Sequence, residues 1–212
     1  MLADIKKNST QIRNMPKRLG SEPIYIAPGI SGYIDNLGNP HVIDETTNTI
    51  LNPHDAFDKI IIYERQVKGW FLNEADKLIR YKNQNKGFIV LMICLSYFEG
   101  VEEYKTGQSS HNHSRQFFRN SIERLYPGQF TQIQLDELYG QGRCGLFHNG
   151  MVRGQIVIRN TFPNSIEFDD QRIKISPKKL LRDIKIDFDN FITLLRQDLD
   201  ARNNFSNLYT NL

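Results

Sequence analysis

From Asn52 onward the apolar positions recur at helical steps. Ile60, Tyr63, Val67, Trp70/Phe71 and Leu78 follow one another at three- and four-residue intervals, which places them on one face of a helix. Asn52 and Pro53 stand where an N-cap and a first helical residue belong. The run extends to about Lys82, and "NQNKG" closes it. A second helix is predicted over about Phe88 to Tyr104. Its first half, "FIVLMICLSYF", is apolar all round and would also suit a buried strand; its length and its continuation into "EGVEEY" favour a central helix. Ser114 caps a third helix with Phe118, Ile122 and Leu125 inward, ended by "YPG". Thr131 caps a fourth segment with Ile133, Leu135 and Leu138 inward.

After Gly154 the period changes to two. "QIVIRN" and "RIKIS" alternate, with "IEF" between them, and predict a small antiparallel hairpin or three-strand patch over about 155–176. Pro177 then opens a last helix in which Ile184, Phe188, Phe191/Ile192, Leu195 and Leu199 form the stripe, and the polar tail "RNNFSNLYTNL" is expected to fray. Residues 1–51 sustain no helical period. They are rich in Pro and Gly; "YIDNLGNPHVI" would suit a hairpin with Asn36, Gly38 and Asn39 in the turn, and an arm packed on the body or on a partner is the favoured reading. The predicted fold is mainly α: an up-and-down helical bundle over 52–212 with a small antiparallel β insert, preceded by an extended N-terminal arm over 1–51.

Composition narrows the picture slightly. A chain of 212 residues suits one domain with an extension, or two small ones, and can bury a core without staples. The net charge of +3 permits a nucleic-acid partner without demanding one. The two cysteines, Cys94 and Cys144, form no CxxC pair, which removes a zinc ribbon and fits a reducing compartment. The basic N-terminus lacks a signal peptide's apolar stretch, and the longest apolar run is about half of a bilayer span. A cytoplasmic protein with no membrane association, no cofactor and no metal is expected. His111 and His113 flank Asn112 in a polar loop, without the carboxylate or cysteine that would complete a metal set. No phosphate loop, dinucleotide fingerprint, nucleophile elbow or calcium loop occurs.

What remains is "YGQGRCGLFHNGM", Tyr139 to Met151. On a regular helix Arg143 and His148 would point about 140° apart. They share a groove only if the helix begins or bends between them, which Gly140, Gly142 and Gly145 permit. Arg143 is then expected at a helix start or bend and His148 one turn in, with Leu146 and Phe147 anchoring the turn to the core. An imidazole titrates near neutrality and moves protons; a guanidinium offers a fixed fork to phosphate oxygens. Cleaving RNA without a metal needs both functions, at the 2′-hydroxyl, the leaving 5′-oxygen and the charged phosphate between them. One such pair is half a site, and a two-fold dimer would supply the other half. About one Arg-to-His spacing of this kind is expected by chance in a chain of this length.

"GRCGLFHNGM", together with the upstream "LSYFEGVEEY", resembles the HEPN superfamily over roughly residues 52–203, whose signature is Arg, four to six residues, then His. The resemblance implies either a metal-independent ribonuclease of a defence, toxin or stress system, acting as a homodimer, or a non-cleaving dimeric module that binds nucleic acid, nucleotide or a protein partner such as an antitoxin. It implies His148 as acid or base and Arg143 as phosphate clamp, with Asn149 orienting the histidine or binding phosphate and Glu99 as the acidic residue of the upstream helix. Arg115 and Arg119, one turn apart, are candidates to track a nucleic-acid backbone. Two departures stand out: Cys144 follows the arginine where active members often carry Asn, Asp or His, and the β insert lies outside the minimal bundle.

Overall fold

Four short strands open the described chain: β1 (Ile24–Ala27), β2 (Ile30–Ile34), β3 (Pro40–Asp44) and β4 (Thr49–Leu51), paired antiparallel in sequence order. The computed structural model describes residues 23–81, 86–169 and 171–209. The chain divides after Trp70 into two compact units. The expected extended arm is therefore a sheet over its described part, and the basic start of the chain lies outside the described residues. The β2–β3 hairpin turns on Asp35, whose Oδ1 accepts from the amides of Leu37 at 2.8 Å and Asn39 at 2.9 Å, an Asx arrangement that replaces backbone pairing in the turn. The sheet buries Ala27, Ile30, Val42 and Leu51.

Helix α1 (Ala56–Gln66) belongs to the same unit. Its cap is Asp55, whose side chain accepts from the amides of Phe57 and Asp58; Asn52 instead accepts from His54 N in the preceding turn, so the helix starts three residues later than Pro53 suggests. Arg65 Nη2 reaches buried Asp44 at 3.0 Å, Arg65 Nη1 the Pro28 carbonyl at 3.2 Å, and Gln66 Nε2 the Ile26 carbonyl at 2.7 Å, which tie α1 to the sheet. A π-helical segment, Val67–Leu72, follows and leads into α2 (Asn73–Arg80). Each wide turn adds a residue to the helical count, so the stripe shifts: Leu72 and Ala75 are buried, whereas Trp70 and Phe71 are exposed. The expected end at Lys82 and its "NQNKG" stop fall largely outside the described residues.

The second unit is built on α3 (Gly87–Thr106), which buries Val90, Leu91, Cys94, Leu95, Tyr97, Phe98 and Val101. It packs against α4 (Ser114–Leu125), α7 (Pro177–Gln197) and α8 (Leu199–Leu208). Between α4 and α7 come α5 (Gln132–Glu137), a second π-helical segment (Leu138–Cys144), α6 (Gly145–Asn149) and a three-strand sheet of β5 (Ile156–Ile158), β6 (Ile166–Phe168) and β7 (Ile173–Ile175). Ile133 is exposed; Leu135 and Leu138 are buried as expected.

The strand order is β5-β7-β6. β6 pairs with β7 antiparallel, but β5 pairs with β7 in parallel. The patch is thus mixed, because the chain leaves β5, forms β6 and returns through β7 between the two. The C-terminal stretch is also more ordered than its polarity suggests. Asp198 caps α8 through the amide of Ala201, and Phe205, fully buried, packs against the rings of Tyr104 and Tyr209 at 5.4 and 5.0 Å. Leu199 is exposed rather than part of the inner stripe. Taken with the N-terminal sheet, these elements make the fold a mixture of helices with a four-stranded antiparallel sheet and a three-stranded sheet, not a mainly-α up-and-down bundle. Helices stand where the period of 88–104, 114–125 and 177–197 places them, and the hairpin that "YIDNLGNPHVI" suits is β2–β3; β1 and β4, of four and three residues, are too short for alternation to declare them.

Candidate functional site

The segment carrying Arg143 and His148 starts at a capping box. Thr131 Oγ1 accepts from Gln134 N and Gln134 Oε1 from Thr131 N, which fixes the start of α5. The helix then widens through Leu138–Cys144, tightens again as α6 and stops at Gly150, whose φ of +70° is a left-handed C-cap. Beyond it the chain turns back across its own helix. A Cβ on Gly145 would stand 2.9 Å from both Arg153 N and Met151 O, and Arg153 N donates to the carbonyl of Gln141 at 2.8 Å. The glycine after Cys144 therefore makes room for the return of residues 151–153.

Tyr139, Arg143 and Phe147 follow at steps of four and form one ridge. The Arg143 guanidinium lies 5.7 Å from the Tyr139 ring centre and 5.0 Å from that of Phe147. Its Nη2 donates to Glu99 Oε2 at 2.9 Å, and the other oxygen of Glu99 accepts from Ser110 Oγ at 2.9 Å. Both members of the pair are mostly buried, with 22% and 15% of their side chains exposed. Glu99, on α3, is thus brought to Arg143. Leu146 is the core anchor of the turn; Phe147, expected to share that task, is exposed.

His148 is exposed on the last turn of α6, and its imidazole makes no hydrogen bond among the described residues. Nor does it bond to Arg143, whose partners are Glu99 and the two rings. Neighbouring Asn149 accepts at Oδ1 from Arg153 Nη2 at 2.6 Å. Arg153 is exposed and has no carboxylate partner among the described residues. Sequence reasoning missed it. The available signal was its four-residue step from Asn149, hidden by the intervening Gly150.

The α4 arginines are largely committed. Arg119 Nη1 lies 3.2 Å from both oxygens of Asp136. Arg115, more exposed, is 3.9 Å from the same carboxylate, with its guanidinium 5.5 Å from the Tyr139 ring. Burial, and next the adjacent Cys144 thiol, push the Tyr139 phenol above its usual value. A cleft of about 340 Å³ opens beside this segment, lined in part by Glu137, Gln141, Gly154 and Arg172.

A second polar cluster lies deeper. Asp187 accepts from Tyr97 Oη at 2.7 Å, Arg124 Nη1 at 2.6 Å and Lys105 Nζ at 3.1 Å, and Arg124 also meets Glu102 at 3.3 Å. Two carboxylates and two cations close on each other, which ties α3, α4 and α7 together and leaves no charge to offer a ligand. His111 and His113 are exposed, and among the described residues no group of three His, Cys, Asp or Glu side chains gathers to hold a metal ion. No described helix is long and apolar enough to cross a membrane. Comparison with models of known protein families, with curated proteins and with solved structures gives no match.

Proposed function

We propose that this chain is a cytoplasmic, metal-independent endoribonuclease resembling the HEPN enzymes, acting as a homodimer. The observation that carries the reading is the exposed imidazole of His148, without a hydrogen bond among the described residues, set one residue beyond a ridge in which Glu99 and two aromatic rings hold the Arg143 guanidinium. His148 takes the proton of the 2′-hydroxyl as that oxygen attacks the adjacent phosphorus; the P–O5′ bond breaks, and the leaving oxygen gains a proton. One histidine cannot hold both positions at once, so His148 of a second copy supplies the other proton transfer. Arg143 stabilises the charge that develops on the phosphate, after exchanging part of its contact with Glu99 for the substrate. Asn149 and Arg115 lie on the substrate's side; Arg119 supports Arg115 through their shared Asp136.

One observation favours a non-cleaving, nucleic-acid-binding dimer instead: the charge of Arg143 is already balanced by Glu99 at 2.9 Å. Incubating the purified protein with an RNA panel in chelator separates the two. The enzyme reading expects cleavage that His148→Ala lowers at least a hundredfold at unchanged stability. Equal behaviour of the parent and His148→Ala on every RNA ends that reading, and RNA binding without cleavage establishes the alternative.

A further inference from the structure

Arg143 reaches the site with its charge compensated, but five residues past His148 the fold delivers a guanidinium that is not. We propose that Arg153, positioned by Asn149, is the group that contacts the RNA's backbone phosphate at this site. The inference rests on the reading of the site as RNA-directed and goes beyond it by naming the contact.

Three observations converge on Arg153. Its backbone is fixed: the return after Gly150 lays residues 151–153 over Gly145, and Arg153 N is tied to Gln141 O at 2.8 Å. Its side chain is aimed: Nη2 donates to Asn149 Oδ1 at 2.6 Å. An amide oxygen orients a guanidinium without neutralising it, and of the five donors an arginine carries, only this one has a partner among the described residues. Its charge is uncommitted. Exposed Arg80, Arg172 and Arg182 each lie against a carboxylate, whereas Arg153, like Arg159 over the Phe162 ring, meets none among the described residues; Arg153 alone of these two stands beside the His148 segment. A held cation with spare parallel donors suits a phosphate.

The neighbouring groups indicate the kind of polyanion. Phe147, 44% exposed, carries the Arg143 guanidinium 5.0 Å from its ring centre. A ring held in this way offers its open surface to an unstacked base, which a single strand presents and a duplex does not.

The test uses the full chain. Binding of a labelled single-stranded oligoribonucleotide is followed by fluorescence anisotropy over a salt series in the His148→Ala background, so that cleavage does not enter; cleavage is measured separately on proteins that retain His148. Arg153→Gln is expected to weaken binding roughly five- to tenfold and to reduce the slope of log K against log salt by about one. Arg153→Lys should restore the slope and part of the affinity. Asn149→Asp, which sets a carboxylate against the guanidinium, should reproduce the Arg153→Gln slope while leaving Arg153 in place. Unfolding midpoints confirm that the variants are folded. If RNA is bound and cut and Arg153→Gln changes neither, this inference falls and the ribonuclease reading stands. If RNA is bound with an Arg153-dependent slope but never cut, the inference stands and the ribonuclease reading falls. Absence of both binding and cleavage overturns both.

Discussion

Glu99 Oε2 accepts a hydrogen bond from Arg143 Nη2 at 2.9 Å across 44 residues of sequence. It joins the central helix α3 to the end of a π-helical segment, and neither side chain is free to relax into solvent. Removing either partner leaves the other mostly buried and uncompensated. Glu99→Gln and Arg143→Gln should each lower stability by about 1–3 kcal/mol, with a coupling of about 1 kcal/mol or more in the double-mutant cycle. Urea denaturation of the four proteins checks this; additive losses would show the pair to be incidental.

Gly145 and Gly140 provide a matched comparison. A methyl at Gly145 meets the returning backbone at 2.9 Å, whereas one at Gly140 meets nothing within 4 Å. Gly145→Ala should cost about 1–3 kcal/mol and displace Arg153; Gly140→Ala should be neutral or stabilising by up to about 1 kcal/mol. Denaturation midpoints of the two variants decide it.

Asp187 predicts an acid limb. Burial alone would raise its pKa, but the hydrogen bond from Arg124, the charge of Lys105 and the hydroxyl of Tyr97 outweigh that and hold it below the usual 3.8. A carboxyl depressed in the folded state stabilises above its unfolded pKa, and that contribution is lost as pH falls through the folded value. Stability should therefore decline below about pH 4. Asp187→Asn should flatten this limb and cost about 3–5 kcal/mol at pH 7, because Arg124 and Lys105 lose their shared partner. Urea titrations from pH 7 to 2.5 read both effects.

Phe205 tests the C-terminal correction. Its ring is fully buried between aromatic neighbours, so Phe205→Ala should cost about 3–5 kcal/mol and expose the amides of α8 to hydrogen exchange. A loss below 1 kcal/mol would mean that α8 adds little to the core.

The helices of the second unit were legible because α3, α4 and α7 bury long stripes, and their spacing is printed in Phe118/Ile122 and Ile184/Phe188/Leu195. Three things were not legible. In the N-terminal sheet the β2–β3 hairpin was readable from its turn residues, but β1 and β4, of four and three residues, leave alternation little room to show. The stripe through Trp70 and Phe71 was read at a regular period, but the wide turn at Val67–Leu72 buries Leu72 and Ala75 instead. Asp187 sits inside an apolar stripe that gave no hint of the Arg124 and Lys105 waiting opposite. At the site, Glu99 was named from the resemblance and meets Arg143, and Gly145 was noticed as a softening residue. Its actual service, clearing a path for Arg153, depends on a fold-back that spacing along one helix cannot reveal.

The wide turn at Leu138–Cys144 makes chain length itself part of the site. Wound at the ordinary pitch with every residue kept, this turn would swing everything beyond it by about 100° against Leu135 and Leu138. Arg143 would leave Glu99 with every functional side chain still in the gene. A screen confined to substitutions would never sample that axis, and the surplus residue in this turn is as much a determinant of what the protein does as the arginine it aims.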